Sequence, residues 1–437
     1  MKKRVTMGAI AVALMAAVSC SETEIGVEPQ PSGDDGQVAL GVAANLKVDA
    51  KSKAATKSVV SGNAITYPKD KFSTEAPGLG VLVTNSGVNG WYTPDGGEAW
   101  HHIWYMGNES GAGWRSIETK GDTYDLTKEK PYYLTKTVGK VYAYYPFDED
   151  VTSSLTNIGA ESDLKIPVTV LATGAIDATA NNAKKYWNNG TWSTNKNSET
   201  SLSVAAEKDY LYFDATEGGR NVNNGRAEGK TPVSPEDDPN NLDADNPGYK
   251  INLNMKHAMA MVSFRVYDGG HLSENAVTFT RFEIKNHAGG SNVFKNGTGK
   301  MALTDGTISE NTAPGTLSRT ITNYTLMRQV EAGGTEGEQA FISTGTSSSS
   351  INGQTVSQSV SALVYPIADG FGDTDIDVEV TLVDNGNTVV YPVTLPGNSW
   401  SAGENYIYTF SAGRNKLTVV DVTVEKWVPV DQDEIPL

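Results

Sequence analysis

After the first twenty residues the chain holds no helical period of useful length. What recurs is a period of two, in short apolar runs cut by Gly, Asn, Asp and Pro. The clearest run is Val38–Val48, where Val38, Leu40, Val42, Ala44, Leu46 and Val48 alternate with Ala39, Gly41, Ala43, Asn45 and Lys47. Side chains along a strand point to opposite faces in turn, so this spacing predicts a half-buried β-strand with one apolar row. Asp49–Lys57 follows directly, small and basic with nothing to bury. It is open to a trypsin-like protease at Lys51, Lys53 or Lys57. A core strand joined to a cuttable segment reads as a strand that can be removed.

The same texture continues. Gly80–Thr84 is followed by the turn residues Asn85-Ser86-Gly87 and Asn89-Gly90, and Trp91-Tyr92 leads into Pro94-Asp95-Gly96-Gly97. Trp100–Met106 reads as a strand with Trp100, His102, Trp104 and Met106 on one face; Pro131–Leu134 and Gly139–Phe147 follow. Gly218–Tyr249 is almost all Gly, Asn, Asp, Glu and Pro and cannot bury a core; it reads as an interdomain connection or a long surface loop. Ile251–Tyr267 opens a second β-rich half that continues through Ser361–Pro366, Ile376–Val383, Thr388–Leu395, Gly403–Phe410 and Leu417–Val430. Asp384-Asn385-Gly386-Asn387 is a two-residue hairpin signal between two of these runs. Strands at this spacing predict an all-β sandwich or barrel rather than a βαβ sheet. The 437 residues leave room for two or three domains.

The N-terminus is a targeting segment. Lys2, Lys3 and Arg4 precede an apolar stretch, Met7–Val18, too short to span a bilayer. Ala17-Val18-Ser19-Cys20 resembles the lipobox of bacterial lipoproteins, with Ala17 where Leu is more usual. The resemblance implies cleavage before Cys20 and lipidation of its thiol and new amino group, against the alternative of an ordinary secretory signal. Cys20 is the single cysteine, so an intrachain disulfide is excluded. Removing residues 1–19 takes away three positive charges and no negative one, so the formal −17 becomes −20. That charge argues against nucleic acid and anionic membrane surfaces as partners and is accounted for by solubility.

No nucleophile elbow, P-loop, dinucleotide fingerprint or zinc-protease motif occurs, so the expectation is a chain with no catalytic residues, no cofactor and no metal. Glu98 with His101 and His102 is a poor metal set, because neighbouring histidines on a strand face opposite ways. Asn240–Asp245 lacks the turn glycine and closing glutamate of an EF-hand. His257 reads as a core-edge histidine. Tyr186, Trp187 and Trp192 lie in an Asn-rich stretch and are the best candidates to stack on sugar rings or grip a host protein, the alternative being that they pin a loop to the sheet.

Several of these pieces, in order, resemble the fimbrillin family, the lipoprotein-derived subunits of type V pili. They are the lipobox with its strand and basic linker, Val141–Pro146, Ile251–Phe264, Leu363–Pro366, Trp400–Tyr408 and Val422–Trp427. The resemblance implies two tandem transthyretin-like Greek-key β-sandwich domains. The expected layout is a signal peptide at 1–19, a tether at 20–36, an N-terminal sandwich at 37–215, a connection at 216–249 and a C-terminal sandwich at 250–437. It also implies an assembly route. A lipidated precursor reaches the outer membrane and cell surface, a protease cuts after a basic residue, and the first strand leaves a groove for a strand of a neighbouring pilus subunit. The family's cleavage Arg is replaced here by the three lysines. The expected donor strand carries Val420, Val422, Val424, Trp427, Val428 and Val430, and Asp431–Glu434 interrupts it, which suits a terminal or accessory subunit better than a stalk subunit. The rival expectation is a surface lipoprotein that binds glycans, never polymerises and keeps its first strand.

Overall fold

The structure is a computed structural model. It describes residues 38–46, 78–87, 90–94, 97–106, 115–120, 123–148, 150–151, 155, 158–177, 185–188, 191–194, 201–202, 207–216, 219–224, 249–272, 276–311, 313–331, 339–343, 348–351, 354–357 and 359–426. Cys20, Val48, Lys51, Lys53, Lys57, Trp427, Val428 and Val430 lie outside the described residues.

The first strands are β1 (Val38–Ala39), β2 (Gly41–Leu46), β3 (Leu79–Asn85), β4 (His102–Met106), β5 (Arg115–Lys120), β6 (Thr123–Glu129), β7 (Tyr133–Leu134) and β8 (Gly139–Tyr145). Next come β9 (Lys165–Val170), β10 (Thr173–Asp177), β11 (Lys185–Asn188), β12 (Thr191–Thr194), β13 (Ser201–Leu202), β14 (Leu211–Phe213), β15 (Asn221–Val222) and β16 (Lys250–His257). Then follow β17 (Ala260–Asp268), β18 (Thr278–Asn286), β19 (Gly297–Ala302), β20 (Ile308–Ser309), β21 (Thr316–Thr322), β22 (Met327–Glu331), β23 (Gln339–Ser343), β24 (Ser348–Ile351) and β25 (Gln354–Ser357). The last are β26 (Ser359–Val364), β27 (Ile367–Phe371), β28 (Ile376–Asp384), β29 (Asn387–Thr394), β30 (Asn398–Trp400), β31 (Glu404–Ala412) and β32 (Leu417–Lys426). The all-β class expected from the period of two is the class observed.

Three sheets organise these strands. A nine-stranded sheet runs β2-β16-β14-β8-β3-β4-β5-β6, with β15 also on β8. A five-stranded sheet, β10-β21-β18-β28-β29, faces a seven-stranded sheet built on β17, which pairs with β26 on one side and β31 on the other. The last two pack as a sandwich around Phe264, Phe279, Phe282 and Tyr408; the rings of Phe264 and Phe282 meet edge to face at 4.8 Å. The expected hairpin is present: Asp384 opposes Asn387, and Asn385 and Gly386 have φ of 49° and 78°. A two-residue turn matching the strand twist needs φ above zero at both positions, which Asn-Gly tolerates.

At β3 and β8 the nine-stranded sheet is buried on both faces. Leu79, Val81, Val83, Val141 and Ala143 enter one core, while Leu82, Tyr142 and Tyr144 enter the other, which is continuous with the sandwich. This corrects one expectation. Trp100 packs with Ile103 and Tyr105 in the first core, whereas His102 and Trp104 stack on Phe147 across the sheet. Trp100 precedes β4, so the strand's alternation does not extend to it.

Two boundaries also fall elsewhere than expected. The polar connection starts late: Asn221 and Val222 pair with Lys140 and Gly139. The half-buried Arg220 guanidinium donates to the carbonyls of Val141, Phe213 and Thr304 and lies 4.6 Å from the Tyr142 ring. Carbonyl acceptors and aromatic faces let this charge sit where a polar loop was expected. Lys250–His257, expected in the C-terminal unit, pairs with β14 and β2 in the nine-stranded sheet, and the chain crosses to the other sheet only at Ala258-Met259.

Candidate functional site

The site builds from β16. Its residues are alternately half-buried and buried, with Ile251, Leu253 and Met255 in the core of the nine-stranded sheet. β14 covers one edge of β16, and β2 covers the other, in parallel, over six consecutive positions from Gly41 opposite Lys250 to Leu46 opposite Met255. Among the described residues β2 is the end strand of this sheet. The first strand therefore lies at an edge and can leave without parting any other pair of strands in its sheet.

What holds it is a change of partner at Leu40. Upstream, Val38 and Ala39 pair antiparallel with Leu134 and Tyr133 of β7; downstream the chain runs along β16. At the crossover Leu40 N donates to Tyr132 O and Gly41 N to Tyr249 O, both at 2.8 Å. The Tyr105 hydroxyl donates to Leu40 O at 3.3 Å. Burial, reinforced by neighbouring Tyr132, pushes the Tyr105 phenol well above its usual range, so it keeps the proton it donates. The side chains of Val38, Leu40 and Val42 are 4%, 5% and 2% exposed. Leu40 and Val42 belong to the same core as Tyr105, Tyr132, Leu134 and Ile251. A Cβ added at Gly41 would stand 3.0 Å from Lys250 Cγ, so the position favours the smallest residue. Ala44 and Leu46 occupy the register positions of Leu253 and Met255.

Beyond the C-terminal end of this edge, the buried His257 imidazole lies 3.1 Å from Asp209 Oδ1, and Ala258 N donates to Tyr210 O. The core-edge expectation for His257 fits this placement. His101, just before β4, is exposed, whereas His102 within it is buried.

At the other end of the chain, Val420, Val422 and Val424 lie in β32, which pairs antiparallel with β31 from Leu417 to Lys426. Val422 is half-buried against the sandwich core, while Val420 and Val424 are each 49% exposed. The register shifts between Thr409 opposite Asp421 and Phe410 opposite Val419, which leaves Val420 as a bulged residue. Tyr186 and Trp187 lie in β11 and Trp192 in β12; Trp187 is directly opposite Trp192, and the two strands pair only with each other among the described residues.

The residues that seat β2, namely Tyr105, Tyr132, Leu134 and Tyr249, escaped the sequence reading. Their signal was present only as aromatic runs, because nothing local says which strand a distant tyrosine will cap.

The fimbrillin-like family model matches residues 104–427. No curated protein matches the sequence. Among solved structures the chain is similar to a cell adhesion candidate from Bacteroides ovatus, at 13% identity and TM-score 0.44, covering 90% of this chain and 99% of that one. It is also similar to a fimbrial protein from Bacteroides vulgatus, at 12% identity and TM-score 0.42 with 80% and 93% covered. A third is the C-terminally truncated tip fimbrial protein Mfa3 from Porphyromonas gingivalis, at 9% identity and TM-score 0.33 with 80% and 93% covered. At these TM-scores the assignment rests on the family match, which spans most of the chain. The chain belongs to the fimbrillin-like family.

Proposed function

We propose that this chain is a non-catalytic pilus subunit at the cell surface. It is exported to the outer membrane as a lipoprotein on Cys20 and joined to other subunits when its first strand is cut away and replaced. The observation that carries the reading is the contrast between sheet edges. The edge of β16 beneath β2 runs for six paired positions without a proline or a register shift. Two outer strands of the C-terminal sandwich, β32 and β29, are guarded. Val420 bulges on β32, and Pro392 sits on β29 opposite Glu379. Counting alternately from the Asp384–Asn387 pair that closes the hairpin makes Glu379–Pro392 a non-hydrogen-bonded pair. The proline therefore costs β28 nothing and removes a donor from the free edge. An unguarded edge is the template for strand addition.

Emptying the slot is costly. Burying a Val- or Leu-sized side chain contributes about 1.5–3 kcal/mol, so losing Val38, Leu40 and Val42 together approaches the ~5–15 kcal/mol that holds a typical domain. Removal of the strand is therefore coupled to its replacement.

The test is the N-terminus of protein sheared from cells. Fibres whose subunits begin between Lys51 and Ser58 support the reading, and the Lys51/Lys53/Lys57 triple substitution to Gln should trap a precursor and shorten the fibres. A lipidated pool that keeps residues 38–46 within working fibres, or normal fibres from the triple variant, would refute it. Intact, monomeric lipoprotein that binds oligosaccharides tightly would favour the non-polymerising rival.

A further inference from the structure

The slot left by Val38–Leu46 is selective, and its chemistry can be read position by position. Val38, Leu40 and Val42 fill apolar sites. Leu40 and Gly41 must each supply an N–H, to Tyr132 O and Tyr249 O. The Gly41 position favours a small residue, since a Cβ there would stand 3.0 Å from Lys250 Cγ. An entering strand therefore needs the pattern apolar, any, apolar, small, apolar, with no proline at its third or fourth position.

The chain's own C-terminal segment can be set against that pattern. Every five-residue window of Trp427–Leu437 fails it. Trp427–Asp431 puts Pro429 where Leu40 donates, and Asp433–Leu437 puts Pro436 where Gly41 donates. The windows between them place Asp431, Gln432, Asp433 or Glu434 in an apolar site. Starting one residue earlier, Lys426–Val430 puts Lys426 in the Val38 site and Pro429 at the Gly41 position. Val420–Val424 meets the apolar requirement, but it places Thr423 at the crowded glycine position and is committed to β31, opposite Tyr406 and Tyr408. Freeing it would uncover those buried rings.

We propose that the slot excludes residues 426–437 of a second copy of this chain and accepts instead a strand of the stated pattern, so a neighbouring copy does not fill it with that segment. This rests on the strand-exchange reading above. The assay uses the full chain, nicked with limiting trypsin in Asp49–Lys57, with the protease then inhibited. Labelled synthetic peptides are added and followed by fluorescence polarisation, with mass spectrometry of the displaced fragment. The peptides are residues 37–48, the same with Leu40→Asp or Gly41→Pro, and residues 426–437. The 37–48 peptide should enter. The other three should bind at least about 10-fold more weakly: Leu40→Asp loses apolar burial, Gly41→Pro loses the hydrogen bond to Tyr249 O, and 426–437 loses both. Equal binding by 426–437, or by the Gly41→Pro peptide, would overturn the selectivity while leaving strand exchange standing. If no peptide, 37–48 included, displaces the resident strand, strand exchange fails and the selectivity with it.

Discussion

Arg319 stands in the middle of β21 with no exposed surface. Its guanidinium pairs with the buried Glu207 and donates to the carbonyls of Leu171 and Ser318, while Glu207 also accepts from Leu363 N. Four distant parts of the chain are thus pinned at one charge pair. Removing one partner strands the other in the core, so Arg319→Met should cost about 3–5 kcal/mol in urea unfolding. Arg319→Met with Glu207→Leu should recover much of that loss. His102 makes a second residue-level prediction. It is stacked between Tyr144 and Phe147, and burial pushes its pKa down to about 3, against a weaker opposing pull from Asp148. Between about pH 6.5 and 3 the unfolded chain therefore binds a proton that the folded chain does not. Stability is full above pH 6.5 and falls on acidification by up to about 1.4 kcal/mol per pH unit from this group. His102→Gln should flatten that slope in denaturation midpoints measured across the range. Neither residue was singled out for its tertiary role in the sequence, since a lone Arg or His on a strand looks the same whether solvated or buried.

At the scale of the element, local rules were informative. The alternation at Val38–Val42 marks the face that the structure buries, and Asn385-Gly386 marks its turn. Nothing lies within 4 Å of a Cβ built at Gly386, so Gly386→Ala acts through backbone strain alone. The expected loss is about 1–2 kcal/mol, read from thermal unfolding. On the first strand, Val42→Asp places a charge in an apolar site. It should speed hydrogen exchange of the β16 amides well before global unfolding, whereas uniform protection would show that β2 does not guard that edge. Element ends were less legible. Trp100 broke from the face its spacing predicts because it lies before β4 begins at His102, and Val420 bulges because its register shifts against β31. Both depend on a partner strand rather than on the run itself.

The whole molecule behaves as joined lobes. One core extends from Leu82, Tyr142 and Tyr144 of the nine-stranded sheet through Ile166 and Val168 to Phe282 and Tyr408 of the sandwich. β9 from the first half pairs with β19, and β10 with β21. The sandwich and the nine-stranded sheet should therefore unfold in a single calorimetric transition; two separated transitions would show that the lobes are independent. The amino-acid sequence alone determined that the chain is all-β, where its turns fall, and that its first strand is apolar on one face and followed by a basic segment. Those properties rest on side-chain period and turn chemistry, which act over a few residues. Only the tertiary structure decided that β2 lies parallel on the edge of β16, and that β16 and β17 belong to different sheets. It also decided that tyrosines far along the chain close over Leu40. Those outcomes follow from which surfaces can be buried together and which backbone donors meet acceptors, and no short window of sequence contains both partners.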